Sequence, residues 1–170
     1  MKKLYWFTGQ AGAGKTVLAK LLKKHLEELQ SSDFFIEMRK FVIIDGDDIR
    51  AIYENKDYSI EGRKANVDFV QKLCSLLLKN HIIPIVCMVS PFAKQREDFI
   101  DENDGVEIFV STKEIRGREH YHVEYFEKPD VSRENVIVID TTNSKDSESF
   151  ARLYFKLSQI NNNNNNYDEL

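Results

Sequence analysis

Gly9-Gln10-Ala11-Gly12-Ala13-Gly14-Lys15-Thr16 matches the pattern G-x-x-x-x-G-K-[ST] at every position. Glycines in this pattern let the backbone approach an anion closely, and successive amide N–H groups point inward around a phosphate. The lysine brings a mobile positive charge to the β- and γ-phosphates, and the threonine hydroxyl is positioned to bind Mg²⁺. The motif therefore predicts ATP binding by residues 9–16 and the adjoining Val17, with Lys15 catalytic and Thr16 a magnesium ligand.

The sequence on either side of the motif predicts a strand before it and a helix after it. Residues 4–8 form an apolar run typical of a buried strand, and apolar residues recur at helical spacing over residues 16–29. A helix N-terminus carries partial positive charge, which favours a phosphate at this point. The alternative is an ordinary strand-to-helix turn in which Gly12 and Gly14 serve no ligand.

Length and composition favour a single globular domain, which we place at residues 1–160. The chain has 170 residues, 42% of them hydrophobic, and a net charge of −4. An acidic balance argues against a nucleic-acid partner. Cys74 and Cys87 lie in apolar segments and match no metal or redox motif, so both are expected to be reduced core residues. Apolar runs are too short to span a membrane and residues 4–8 leave no room for a signal peptide, so we expect a cytoplasmic protein without a membrane partner.

Strand-like and helix-like segments alternate after the motif, which predicts an α/β fold with a five-stranded parallel sheet and helices on both faces. The further predicted strands are 41–44, 82–89, 106–110 and 136–139, and the further predicted helices are 61–80 and 147–160. Residues 28–40 are predicted to be a polar connection. The Asn-rich segment 161–170 cannot bury apolar surface, so it is predicted to be a disordered tail.

Acidic residues follow the second predicted strand, where such sheets bind their ligands. Gly46 permits a sharp turn, so Asp45 and Asp47 can both face the phosphate loop. One carboxylate could hold a Mg²⁺-bound water, and the other could accept a proton from an attacking hydroxyl. We expect Asp45 to bind metal and both residues to act in catalysis, and we leave open which one is the base. Asp48 is expected to cap a short helix.

Weaker signals follow along the chain. Arg63 and Asn66 share one face of the next predicted helix, where a guanidinium can hold a phosphate and an amide can orient it. Without further support this would be an ordinary helix surface. The segment Ser90-Pro91-Phe92, followed by Arg96, is equally weak alone, since a serine after a strand usually caps the next helix.

In their order along the chain, these segments resemble the adenylylsulfate (APS) kinases. The resemblance covers roughly residues 4–112 and resumes weakly at 125–129 and 138–141. It rests on Trp6-Phe7-Thr8-Gly9, Asp45-Gly46-Asp47-Asp48-Ile49-Arg50, Ser59 with Arg63 and Asn66, Ser90-Pro91-Phe92 with Arg96, and Val106-Glu107-Ile108-Phe109-Val110.

The resemblance implies a P-loop NTPase fold and a phosphotransferase that uses ATP and Mg²⁺. These kinases transfer the γ-phosphoryl group to the 3′-hydroxyl of a small nucleotide, and they are usually homodimers. Arg50, Arg63 and Asn66 would hold the phosphate end of the acceptor, and Tyr58 would stack on its base. The full implied acceptor site is Asp47, Arg50, Tyr58, Arg63, Asn66, Ser90, Pro91 and Phe92.

The lid departs from the family pattern. The family carries a long basic lid with a K-G-L-Y core and an F-T-G-I segment, whose aromatic stacks on the acceptor adenine. Here only residues 113–124 lie between the fourth strand and the point where the resemblance resumes, and neither motif is present. Arg116 and Arg118 could reach ATP phosphates, or this segment could be a charged surface helix. Residues typical of the family's acceptor region are also replaced, by Gly62, Ala65, Asp68 and Phe69.

With its shortened lid, the chain is most similar to a branch of APS-kinase-like proteins that act on cytidine 5′-diphosphoramidate in capsule biosynthesis. We therefore expect cytidine 5′-diphosphoramidate as the favoured acceptor, with adenylylsulfate as the alternative. A nucleotide-dependent switch without acceptor turnover is the second alternative.

Overall fold

The computed structural model describes residues 1–32 and 39–165. Its centre is a parallel sheet whose strands lie in the order β2-β3-β1-β4-β5. The strands are β1 (Leu4–Thr8), β2 (Lys40–Asp45), β3 (Ile82–Cys87), β4 (Gly105–Ser111) and β5 (Val136–Asp140). The predicted five-stranded parallel sheet is therefore confirmed, and β1, which leads into the phosphate loop, lies in its middle.

Helices cover both faces of this sheet. They are α1 (Lys15–Ser32), α2 (Gly46–Ile52), α3 (Ile60–Lys79), α4 (Ala93–Glu102) and α5 (Asp146–Asn165). One hydrophobic cluster joins the sheet to α1 and α5, and a second joins it to α2, α3 and α4. The predicted arrangement of helices is confirmed.

The central strand β1 is buried along its whole length. Because side chains alternate across a strand, Tyr5 and Phe7 enter the cluster with α1, and Leu4 and Trp6 enter the cluster with α3. Burying a large apolar side chain contributes roughly 1.5–3 kcal/mol. The phosphate loop therefore starts from the most firmly anchored strand of the sheet.

Strand β3 ends at Cys87, two residues before its predicted end, and two helices extend beyond theirs. Helix α1 continues to Ser32, and residues 33–38 of the predicted connection lie outside the described residues. Helix α5 continues to Asn165, so the prediction of disorder from residue 161 is wrong for the backbone of 161–165. Adding residues to an existing helix avoids the cost of nucleation, so a polar run can extend it. Residues 166–170 lie outside the described part of the chain.

Both cysteines are free and buried, as predicted. Burial raises the pKa of the Cys74 thiol to about 12. Within residues 1–32 and 39–165, none of the helices combines the length and apolar character needed to cross a membrane.

Candidate active site

A cavity of about 410 Å³ opens at the carboxyl ends of β1, β2 and β3 and gathers most of the predicted site residues. Those in its wall are Ala11, Gly12, Gly14, Lys15, Thr16, Val17, Asp45, Asp47, Arg50, Tyr58, Arg63, Asn66, Ser90 and Pro91. Of the remaining predicted residues, Gly9, Gln10 and Ala13 belong to the phosphate loop but do not line the cavity, and Phe92 does not line it either.

The phosphate loop requires glycine at specific points. Gly9 and Gly12 have φ angles of 132° and 80°, which lie in the region that L side chains rarely adopt. A Cβ atom on Gly9 would also lie 2.1 Å from the carbonyl oxygen of Val110. The loop therefore packs directly against β4, and its shape depends on the absence of a side chain.

Lys15 begins helix α1 at the floor of the cavity. Its Nζ donates to the carbonyl oxygens of Gly9 at 2.9 Å and Gln10 at 2.8 Å. Burial lowers the pKa of Lys15 to about 8, although the carboxylates of Asp45 and Asp47 oppose part of this effect. A phosphate at this point would favour the protonated amine and give it charged acceptors.

Thr16 and Asp45, the two residues predicted to bind Mg²⁺, lie side by side. Thr16 Oγ1 donates to Asp45 Oδ2 at 2.7 Å, and Asp45 Oδ1 accepts from the backbone N–H of Asp47 at 2.9 Å. Asp45 thus caps helix α2, and the prediction that Asp48 is the cap is wrong. The reason is that β2 ends at Asp45 in extended conformation, so the helix starts at Gly46, three residues earlier than a cap at Asp48 would require.

These oxygens fit Mg²⁺, which is usually bound by one or two protein oxygens together with phosphate oxygens and water. In the described ranges, no group of three or more His, Cys, Asp or Glu side chains comes together as a self-sufficient metal site. The Asp47 carboxylate has no hydrogen-bond partner among the described residues and lines the cavity, so it is free to accept a proton.

The far end of the cavity carries positive charge around Tyr58. The Arg50 guanidinium lies 4.4 Å from the centroid of the Tyr58 ring, and the Arg63 guanidinium lies 5.3 Å from it. Arg63 Nε also donates to the Tyr58 carbonyl oxygen at 3.1 Å. Asn66 is buried on the same helix. This cluster offers donors for an acidic group, and Tyr58 holds both arginines as well as presenting an aromatic ring.

Ser90 is buried and adopts a φ of 42°, which is uncommon for a residue with a side chain. Its Oγ accepts from Trp6 Nε1 at 3.2 Å. The helix-capping alternative is wrong, because α4 starts later, with Phe92 as its cap residue and no side-chain cap bond. A backbone held in this region often marks a functional site.

Phe92, predicted to contact the acceptor, is not among the residues that line the cavity. Its ring stacks on Tyr125 with 5.8 Å between centroids and 18° between planes. The Lys64 ammonium lies 5.0 Å from the same ring. Phe92 therefore joins the segment after the third strand to the segment after the lid.

The short lid docks on the phosphate loop. Arg116 donates through Nη1 to the Gly12 carbonyl oxygen at 3.1 Å and through Nη2 to that of Thr141 at 3.0 Å. Gln10 Nε2 donates to the Val123 carbonyl oxygen at 2.8 Å, and Gln10 Oε1 accepts from the Val123 N–H at 2.9 Å. The surface-helix alternative is wrong, because the described lid residues form only one 3-10 turn, Glu119–Tyr121.

Sequence reasoning missed two features of the cavity wall. Tyr121 lines the cavity together with Tyr58, so the site has a second aromatic although the family's lid motifs are absent. Met88 also reaches the wall. An aromatic residue between two histidines in a charged lid was the available signal for Tyr121. Arg118, left open at the sequence level, lines the cavity as well.

The family model described as adenylylsulphate kinase matches residues 1–124. This chain belongs to the adenylylsulphate kinase family. A probable adenylyl-sulfate kinase of Pyrococcus abyssi is 40% identical over 93 residues, which are 54% of this chain and 49% of the relative. An adenylyl-sulfate kinase of Pseudomonas aeruginosa is 33% identical over 111 residues, 63% of this chain and 53% of the relative. The chain thus spans about half the length of the curated relatives it matches.

A solved structure supports the fold over nearly the whole chain. The Mycobacterium tuberculosis APS kinase in complex with AMPPNP and APS gives a TM-score of 0.72 at 19% identity. The match covers 92% of this chain and 98% of that one. At this identity the likeness shows the fold alone.

Proposed function

We propose that this protein is an ATP-dependent kinase that transfers the γ-phosphoryl group to the 3′-hydroxyl of a small nucleotide. The observation that carries the proposal is one cavity that joins a complete phosphate loop to a carboxylate pair and a cluster of arginines. ATP binding by itself requires only the phosphate loop. The arginine cluster is a second charged region of the same cavity, and its positive charge suits an anionic acceptor.

Each part of the cavity has a role in transfer. The backbone N–H groups of the loop and Lys15 would hold the transferred phosphate, and Thr16 and Asp45 would hold Mg²⁺. Mg²⁺ would neutralise charge on the β- and γ-phosphates. Asp47 is the better candidate for the base, because both oxygens of Asp45 are already engaged.

Cytidine 5′-diphosphoramidate is our favoured acceptor. Support comes from the lid, where the chain has its largest departure from the family pattern and where the family match ends, at residue 124. A lid held down on the phosphate loop by Gln10 and Arg116 covers less of the acceptor end than a long one. A smaller pyrimidine suits this reduced cover, while Arg50 and Arg63 remain for its acidic 5′ group.

Adenylylsulfate is the second candidate, and two observations favour it. The relatives named above are adenylyl-sulfate kinases. Tyr121 and Tyr58 both line the cavity, so two aromatic rings are available to a purine. Base stacking on an aromatic is worth roughly 1–3 kcal/mol. Capsule biosynthesis as the biological setting depends on the cytidine acceptor.

The deciding experiment compares kcat/KM for cytidine 5′-diphosphoramidate and adenylylsulfate at fixed ATP and Mg²⁺, following ADP release. We expect the cytidine compound to be preferred by at least about tenfold, a difference of 1.4 kcal/mol. A 3′-deoxy form of the preferred acceptor is the matched control and should give only background ADP release.

Each result separates the candidates. A tenfold preference for adenylylsulfate would replace the cytidine proposal with sulfate activation. ADP release that no acceptor accelerates would favour the nucleotide-dependent switch. Phosphorylation of the 3′-deoxy acceptor would contradict the 3′-hydroxyl as the attacking group.

A homodimer and a cytoplasmic location remain predictions. Light scattering at micromolar concentration measures the mass of the assembly and decides the first. Cell fractionation with an antibody against the chain decides the second.

A further inference from the structure

The side chain of Arg96, on helix α4, is completely buried, and its guanidinium donates hydrogen bonds to three different residues. Its Nε donates to Glu107 Oε1 at 2.7 Å, and Glu107 is itself completely buried on β4. Its Nη1 donates to the carbonyl oxygen of Ser90, and its Nη2 donates to that of Glu127 at 2.8 Å. The planar guanidinium thus binds three separate parts of the chain at once.

One of these parts borders the cavity, and another follows the lid. Ser90 lies in the wall, in its left-handed conformation, and Glu127 follows the lid. Glu127 makes two further bonds to the segment after β3: its N–H donates to the Pro91 carbonyl oxygen at 2.9 Å, and its carboxylate accepts from the Ala93 N–H at 2.6 Å. Arg96 and Glu127 therefore tie the Ser90 segment to the end of the lid.

We propose that Arg96 is a positioning residue that fixes the Ser90–Pro91 wall of the acceptor end and the return of the lid as one unit. Arg96 lies behind Ser90 and is not itself among the residues that line the cavity. Its charge is balanced by Glu107, which lets the guanidinium remain buried. One of its Nη atoms binds the carbonyl oxygen of Ser90, whose backbone is strained, and the other binds that of Glu127.

This inference rests on the proposed function, because it assigns the Ser90–Pro91 wall to the acceptor rather than to ATP. Lys15 and Thr16 belong to the phosphate loop and share no hydrogen bond with Arg96 or Ser90 among the described residues. Loss of the guanidinium fork should therefore raise KM for the acceptor and leave KM for ATP unchanged.

The test uses Arg96→Lys, which keeps the positive charge beside Glu107 but cannot reach both carbonyl oxygens. We expect at least about a tenfold rise in acceptor KM, with ATP KM within about twofold of wild type. Arg133→Lys is the matched control. Arg133 also contacts Glu107, at 3.3 Å, but has no bond to Ser90 or Glu127, so its acceptor KM should not change.

A second variant keeps the test decisive if Arg96→Lys fails to fold. Arg96→Met combined with Glu107→Leu removes both buried charges together, a replacement that proteins often tolerate. We expect it to fold, with a raised acceptor KM and faster amide hydrogen exchange at Ala93 and Glu127. The exchange measurement needs no substrate, so it still tests the contact if no acceptor is turned over, a result that would contradict the proposed function alone.

Either of two results would overturn the inference. One is a folded double variant with wild-type acceptor KM and unchanged exchange at Ala93 and Glu127. The other is an equal rise in acceptor KM in Arg96→Lys and Arg133→Lys. That result would assign the effect to the charge around Glu107 and not to the hydrogen bonds of Arg96 with Ser90 and Glu127.

Discussion

The phosphate loop and the lid, residues 113–124, lie against each other but obtain their shapes in opposite ways. The loop is shaped by its own glycines and by the end of β1, all within a few residues. The lid contains one 3-10 turn in the described chain and is held by bonds to residues far away in sequence, chiefly from Gln10 and Arg116. The conformation of the loop is therefore determined by its local sequence, whereas the conformation of the lid depends on its contacts with distant residues.

This difference predicts where substitutions act. Changes in the loop should remove the chemistry, because its groups touch the transferred phosphate. Changes at the lid contacts should alter how well the cavity closes, with smaller losses. Each of the following experiments either separates the two regions or shows that they act as one.

The largest effect is expected for Lys15→Ala. The ammonium stabilises charge on the phosphoryl group in transit, so we expect kcat to fall at least about a thousandfold. The measurement is ADP release at saturating ATP and acceptor, and circular dichroism checks that the fold is kept. Retention of more than about a tenth of wild-type activity would disprove the assigned role.

A smaller loss is expected for Asp45→Asn. The exchange is nearly isosteric and removes a charge beside Thr16, so kcat should fall about a hundredfold. Asp48→Asn is the matched control, since Asp48 is exposed on α2 and does not line the cavity. Equal losses in the two variants would mean that the charge of the whole turn matters and not the Thr16–Asp45 pair.

The sequence predicted the loop and Asp45 because both depend on local chemistry. Gly9, which turns beside β4, and Asp45, which ends β2, can both be recognised from the local sequence. The position of Phe92 and the role of Arg96 are not, because both are decided by residues 124–127, which reach them through the tertiary fold.

Tyr121 was missed for the same reason. A motif search found no family lid, but a differently spaced aromatic reaches the cavity once Gln10 holds the chain at Val123. The prediction of disorder for residues 161–165 rested on composition alone. Composition indicates how much apolar surface a segment can bury, but not whether the segment extends the helix before it.

The contact between the two regions is tested by Gln10→Met. Methionine keeps the length of the side chain and removes both bonds to Val123, so we expect about a tenfold loss in kcat/KM for the acceptor. Gln71→Met removes a single bond to the Gln95 carbonyl oxygen, far from the cavity, and should have no effect. If Gln10→Met behaves like wild type, the lid does not need this attachment.

A milder effect is expected from pH. Because the Lys15 pKa is lowered to about 8, the amine must take up a proton to bind ATP once the pH rises above that value. The Kd for Mg²⁺–ATP should therefore increase by about fourfold between pH 7 and pH 8.5. Titration calorimetry at several pH values between 7 and 8.5 measures this dependence of Kd on pH directly. Lys15→Met binds more weakly but has no proton to gain, so its profile should be flat, and a parallel slope in both proteins would assign the titration elsewhere.

The smallest effect is expected from removal of residues 161–170. The apolar residues with which α5 joins the core, Phe150, Leu153, Leu157 and Ile160, all precede the deletion. The deletion removes none of them, so Tm should change by less than about 2 °C and kcat/KM should stay the same. Leu157→Ala is the matched control: it removes a buried side chain from the same helix and should cost about 2–5 kcal/mol. A comparable loss of Tm in the deletion would show that the tail packs against the protein after all, so that α5 continues to contribute beyond Ile160.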